Sequence, residues 1–217
     1  PAFFNTLIIA GMSLLIAVPV GVAAAIFLTE YTSSANKFVA VVRMAAETLA
    51  GIPSIVYGIF GMILFVEMLF KGFSLIAGIL TMAIMILPLV MRTTEEALRA
   101  VPDSFREGSF ALGAGKLRTI FRVVLPSAMP GIIAGVILAL GRVVGETAAL
   151  IYTSGTVKAV PDSLFGSGET LAIHMYTLSS EGLHVNEAWA TAIVLILLVL
   201  VINGAAEFIS NKFRKRY

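Results

Sequence analysis

Long uncharged stretches dominate the chain: residues 1–29, 48–66, 72–91, 123–141 and 188–206 contain no Asp, Glu, Lys or Arg. A helix advances about 1.5 Å per residue, so roughly 20 apolar residues cross a hydrocarbon layer of about 30 Å. The pattern predicts five membrane spans, near residues 3–28, 49–70, 73–91, 127–152 and 188–209. Lipid gives unpaired backbone groups no partner, and the alternation of apolar and polar residues that a barrel strand needs is missing. The predicted fold class is an all-α polytopic membrane protein, with residues 1–217 as a single domain.

Composition narrows this further. Of 217 residues, 59% are hydrophobic and 13% charged, against about 45–50% and about 25% in soluble domains. A water-covered globule and a disordered chain are excluded, and the lack of Cys removes a disulfide scaffold and thiol chemistry. The formal charge of +2 gives no reason to expect nucleic acid; where the charges sit matters more. Twelve of the fifteen basic residues fall on one side of the predicted spans: Lys37, Arg43, the group from Arg92 to Arg122, and Lys212, Arg214, Lys215 and Arg216. The positive-inside rule makes that side cytoplasmic. The 153–187 loop, with Asp162, Glu169, Glu181 and Glu187, then faces outside. Residue 1 also lies outside, which predicts one further span ahead of it; a five-span chain with an exported start is the alternative.

The polar segment from Arg92 to Pro126 is rich in helix signals. Pro102 is expected to stop one short helix. Ser104-x-x-Glu107 fits a capping box, in which each side chain satisfies a backbone N–H of the other. The helix would run to Leu112, with Gly113 in the left-handed closing position. Leu117, Ile120, Phe121 and Val124 would form the apolar face of a second short helix, ended by Pro126. The expected shape is helix, glycine elbow, helix at the cytoplasmic surface, either a plain connector or a docking element. Gly113-Ala114-Gly115-Lys116 lacks the first Gly and the closing Ser or Thr of a nucleotide phosphate loop, so ATP chemistry is not expected in this chain.

Arg142 and Glu146 fall within the fourth predicted span, four residues apart, and are expected to share a helical face. A lone charge near the bilayer centre costs at least ~2.5 kcal/mol. Two readings remain open. The pair could simply lock helices together. Alternatively, Arg142 could line an anion path, because a guanidinium offers planar, multidentate donors to an oxyanion. Glu146 would then steady Arg142 or accept a hydrogen bond from a protonated phosphate oxygen. Arg92, at the cytoplasmic mouth of the third span, is a second candidate, or a basic side chain that merely snorkels to the interface. Gly131, Gly135 and Ala139, and separately Gly141 and Gly145, have the spacing of close-packing faces. Pro53 and Pro88 predict bends. His174 and His184 come with neither Cys nor clustered carboxylates, so no metal site is expected.

Glu107, Gly113 six positions on, and Val123-x-Leu125-Pro126 resemble the EAA loop of ABC-importer permeases, with Gly108 and Ser109 in place of the two alanines. Ala50-Gly51-Ile52-Pro53-Ser54, Arg92-Thr93-Thr94-Glu95-Glu96 and Gly141-Arg142-Val143-Val144-Gly145-Glu146-Thr147-Ala148 look like a phosphate-import permease of the PstA type. The resemblance implies a type I ABC-importer transmembrane domain in a prokaryotic inner membrane, with the family's usual first helix not included here. It implies that Glu107, Gly113, Leu125 and Pro126 couple to a separate ATPase, and that Arg142, Glu146 and Arg92 line the substrate path. The implied partners are a second, PstC-like permease, a dimer of ATP-binding subunits and an extracytoplasmic phosphate-binding protein. ATP and Mg would be bound on the ATPase, with no cofactor and no catalysis in this chain. Permeases for sulfate, molybdate or phosphonate remain alternatives. So do an ion-gradient-driven transporter or channel that uses Arg142 and Glu146 as a charge relay, and a membrane scaffold.

Overall fold

The computed structural model describes residues 1–32, 36–182 and 184–214; the basic residues Lys215 and Arg216 lie outside them. Nine helices form among the described residues: α1 (Ala2–Tyr31), α2 (Lys37–Ala50), α3 (Ser54–Leu69), α4 (Leu75–Arg99), α5 (Asp103–Ala111), α6 (Lys116–Val144), α7 (Ala148–Ile151), α8 (Leu171–Glu181) and α9 (Val185–Arg214). Helices α1, α4, α6 and α9 are each long and apolar enough to cross a membrane, and α2 with α3 forms a bent fifth unit.

Helix α4 is the hub. Its span is 67% buried, against 28% for α1 and 11% for α9. Ile79, Met82, Ile86 and Val90 of α4 join Ile9 of α1 and Val143 of α6 in one buried cluster. Ser13 Oγ of α1 donates to the Ile79 carbonyl at 3.1 Å, which gives a buried hydroxyl its partner. Gly131 and Gly135 of α6 lie against Ala97 and Thr93 of α4, and Ala139 is fully buried. The small-residue face at 131, 135 and 139 is thus a packing face, as its spacing predicts. The second pair does not behave this way. No neighbouring helix comes within 4 Å of a Cβ built on Gly141, and Gly145 meets only the carbonyl of Gly141. The outward faces of α1, α3 and α9 remain apolar and uncovered, with Leu15, Phe60 and Leu200 all exposed; in a bilayer, lipid takes the place of a core partner.

Several expected boundaries move. The second span is not straight over 49–70: α2 and α3 meet at 99°. Pro53 caps α3 at φ −59° and ψ 141°, and the residue before a proline is kept out of the helical region, so α2 cannot continue. The third helix runs past residue 91 to Arg99, two turns into the polar segment, and Pro102 ends this long helix rather than a short one. The fourth runs from Lys116 to Val144, not 127–152. Pro126 does not end a helix. Its missing donor falls beside the π-helical turn Ile120–Val124, where the usual hydrogen-bond ladder is already broken, so the helix passes through. The Ser104–Glu107 capping box does not form: the helix starts at Asp103, with Pro102 as its cap and no side-chain cap bond. Gly113 does take the left-handed conformation, φ 82°.

The 153–170 loop folds back onto one end of the bundle. Asn5 Nδ2 donates to the carbonyls of Ala159 at 2.9 Å and Glu169 at 3.0 Å. The Leu171 N–H donates to Thr6 Oγ1 at 2.9 Å. The Ser74 N–H donates to the Thr153 carbonyl at 3.1 Å. His174 Nδ1 lies 2.7 Å from Oε1 of the buried Glu169. The helix α8 inside the 153–187 loop was not legible in the charge pattern.

Candidate translocation cavity and coupling elbow

Arg142 occupies the last turn of α6. The contacts of Gly131 with Ala97 and of Gly135 with Thr93 fix an antiparallel register between α6 and α4. Continued along both helices, that register brings Arg142 level with Ile86, near the middle of α4. The charge therefore lies near the mid-height of α4, half-buried. It lines a cavity of about 340 Å³ together with Arg43 and Glu47 of α2 and Arg92, Glu95, Glu96 and Arg99 of α4. It also lines a second cavity, of about 560 Å³, with Leu89, Leu138 and Asn203.

Arg92 and Arg142 thus line one cavity. Six positions separate Arg92 from the level of Arg142 on α4, about 9 Å along the axis. Arg92 Nε donates to Glu96 Oε1 at 2.9 Å, but both side chains are more than 60% exposed. Such a pair is weak and easily exchanged. Glu146 does not share a helical face with Arg142. The helix ends at Val144, and Glu146 follows in the break before α7. Its Oε1 accepts the Ala149 N–H at 3.0 Å, so the buried carboxylate fastens the start of α7. Among the described residues, Arg142 forms no salt bridge.

The deepest ion pairing in the cavity belongs to residues that sequence reasoning treated only as orientation signals or as part of a motif. Glu95 is 7% exposed. Its Oε1 accepts from Arg43 Nε at 2.7 Å and from Arg99 Nη2 at 2.6 Å. The i,i+4 spacing of Glu95 and Arg99 was visible in the chain. The tie to Arg43, 52 residues away, was not.

Just beyond the C-terminal end of α4, the elbow exposes Glu107 and Gly113. Around them Phe105, Phe110, Leu112, Leu117 and Phe121 are also exposed, Leu112 at 91%. Leu125 and Pro126 are not part of this surface. They sit half-buried inside α6, Leu125 packed against the cluster around Leu98 and Val124. The expected coupling set therefore divides into an exposed pair and a pair beneath it on the shaft. Arg106, which was not singled out in the sequence, holds the elbow down. It donates to Glu30 of α1 at 2.7 Å and to the carbonyls of Leu98 at 2.9 Å and Val101 at 2.8 Å. Ser109 and Thr119 hydroxyls bond across the elbow at 2.8 Å, and Lys116 Nζ lies 5.1 Å from the Tyr31 ring centroid.

Residues 17–215 match the family described as "Binding-protein-dependent transport system inner membrane component". The chain is 37% identical to "Probable ABC transporter permease protein YqgI" of Bacillus subtilis, over 98% of this chain and 78% of that protein. It is 40% identical to "Phosphate transport system permease protein PstA" of Mycobacterium leprae, over 94% of this chain and 68% of that protein. Its fold resembles a chain of the inward-facing MetNI methionine ABC transporter, with a TM-score of 0.77 at 23% identity, covering 96% of this chain and 91% of that one. The all-helical bundle agrees with these likenesses, and the family match spans most of the sequence: the chain belongs to the family of inner-membrane components of binding-protein-dependent transport systems.

Proposed function

We propose that this chain is the transmembrane permease subunit of an ATP-driven importer of inorganic phosphate, multi-pass in a prokaryotic inner membrane. The observation that carries the reading is Arg142: a half-buried guanidinium level with the middle of α4, without a carboxylate partner among the described residues, lining a cavity that also holds Arg92. Placing a charge there is costly, and an oxyanion that accepts two or more of its N–H groups would offset that cost. The PstA likeness supports phosphate over another oxyanion.

In this reading Arg142 and Arg92 contact phosphate in turn. Glu146 acts at one remove, by fixing the break that follows the Arg142 turn. The exposed Glu107 and Gly113 meet the ATPase, and Leu125 and Pro126 pass the movement of the elbow into the shaft of α6. The permease performs no covalent chemistry; ATP and Mg are bound by a dimer of partner subunits. A PstC-like permease completes the pore, and an extracytoplasmic phosphate-binding protein delivers the substrate. The test is ATP-driven uptake in proteoliposomes containing the assembled transporter. Arg142→Gln is expected to assemble normally and to lose phosphate uptake. Uptake at the wild-type rate would refute the reading, and competition by sulfate or molybdate at equal potency would refute phosphate specificity.

A further inference from the structure

The cavity that holds Arg142 contains four arginines and three glutamates: Arg43, Arg92, Arg99, Arg142, Glu47, Glu95 and Glu96. An anion path lined with carboxylates is a puzzle, and Glu95 is the one that is buried. It draws on Arg43 and Arg99 together through a single oxygen. A carboxylate and a phosphate present similar oxygen edges to a guanidinium fork, so each can take the place of the other. We infer that Glu95 is a tethered rival of the transported oxyanion: it holds Arg43 and Arg99 while the cavity is empty, yields them as the anion passes, and by reclaiming them expels it.

The inference rests on the phosphate-path reading above and adds what release requires. A permease that bound its substrate through four arginines would retain it. A rival fixed a few ångströms away acts at a high effective concentration, which weakens binding without removing any attractive group. The location of Arg43 adds a mechanical consequence. It is carried by α2, the arm that turns 99° into α3 and has Val39 as its only buried side chain. The Arg43–Glu95 pair is thus the main polar tie between α2 and α4, and handing Arg43 to an anion frees that arm.

The experiment uses the assembled transporter, with equilibrium binding of radiolabelled inorganic phosphate to the nucleotide-free complex and ATP-driven uptake as readouts. Glu95→Gln keeps the size of the side chain and removes its charge. It is expected to bind phosphate tighter by on the order of tenfold, the scale of one hydrogen bond to a charged group, and to show slower uptake at saturating phosphate. Unchanged affinity in Glu95→Gln would overturn the inference. Should that variant fail to assemble, spin labels decide on an otherwise native background, since the chain has no Cys. With labels at Met44→Cys on α2 and Ala100→Cys beyond α4, saturating phosphate is expected to change the interlabel distance; an unchanged distance with phosphate bound would also overturn it. Arg142→Gln separates the two claims, because wild-type uptake and phosphate binding there would sink the path reading itself, whatever Glu95→Gln does.

Discussion

Arg106 of the elbow and Glu30 at the end of α1 form an ion pair at 2.7 Å across 76 positions of sequence, with both side chains largely buried. Because Arg106 also donates to the Leu98 and Val101 carbonyls, one guanidinium joins α5 to the ends of α1 and α4. The elbow is thereby tied to two spans at once.

Arg106→Met is predicted to loosen that joint. Removing one partner of a buried pair costs about 3–5 kcal/mol, so the melting temperature in detergent should fall. The more telling readout is the ratio of phosphate transported to ATP hydrolysed in proteoliposomes. It should drop while ATP hydrolysis continues; a wild-type ratio would show that Arg106 only stabilises the fold.

Gly135→Ala is predicted to destabilise the bundle. A Cβ there would run into Thr93 of α4, and overpacking a tight contact costs about 1–3 kcal/mol. Gly11 of α1 is the matched control, with nothing within 4 Å of a built Cβ. Gly11→Ala should be neutral or slightly stabilising, since Ala favours a helix over Gly by about 1 kcal/mol. Thermal denaturation of both variants in one detergent checks the contrast.

Gly113→Ala places a side chain at φ 82°, which costs an L-residue roughly 1–2 kcal/mol. Space is not the obstacle, as nothing lies within 4 Å of the added Cβ. Gly113→Asn should be milder, because Asn tolerates the left-handed region. Co-purification of the ATP-binding subunit is expected to weaken in the order Gly, Asn, Ala, and equal recovery with all three would count against a coupling role for the elbow.

Asn5→Leu is predicted to detach the 153–170 loop. The amide makes two hydrogen bonds to loop carbonyls while fully buried, and leaving such acceptors unpaired costs about 1–3 kcal/mol each. Proteolysis from the extracytoplasmic side should then cut the loop faster than in the native protein.

The chain alone determined the membrane class, the number of apolar segments and the left-handed glycine of the elbow. Each follows from a local rule: spans from the absence of charge over a bilayer's thickness, and the glycine from the φ that closes a helix. The 131, 135, 139 packing face was legible for the same reason, a small residue at every fourth position. Local rules also misled. Pro126 reads as a helix end until a π turn is seen beside it, and Ser104-x-x-Glu107 reads as a capping box until the helix is found to begin at Asp103, with Pro102 as its cap. Helical spacing placed Glu146 on the face of Arg142, but the helix stops at Val144 and the carboxylate accepts the Ala149 N–H in the first turn of α7 instead.

What only the tertiary structure decided is which charges meet. Arg43 and Glu95 are 52 positions apart, Arg106 and Glu30 are 76 apart, and Arg142 reaches Arg92 only because α6 packs antiparallel on α4 through its glycine face. Charge patterning along a membrane chain reports the side of the bilayer on which a residue lies, because that is set by solvation. The partner of a charge within the bundle is set by helix register and by the bend between α2 and α3, and neither leaves a periodic trace in the sequence.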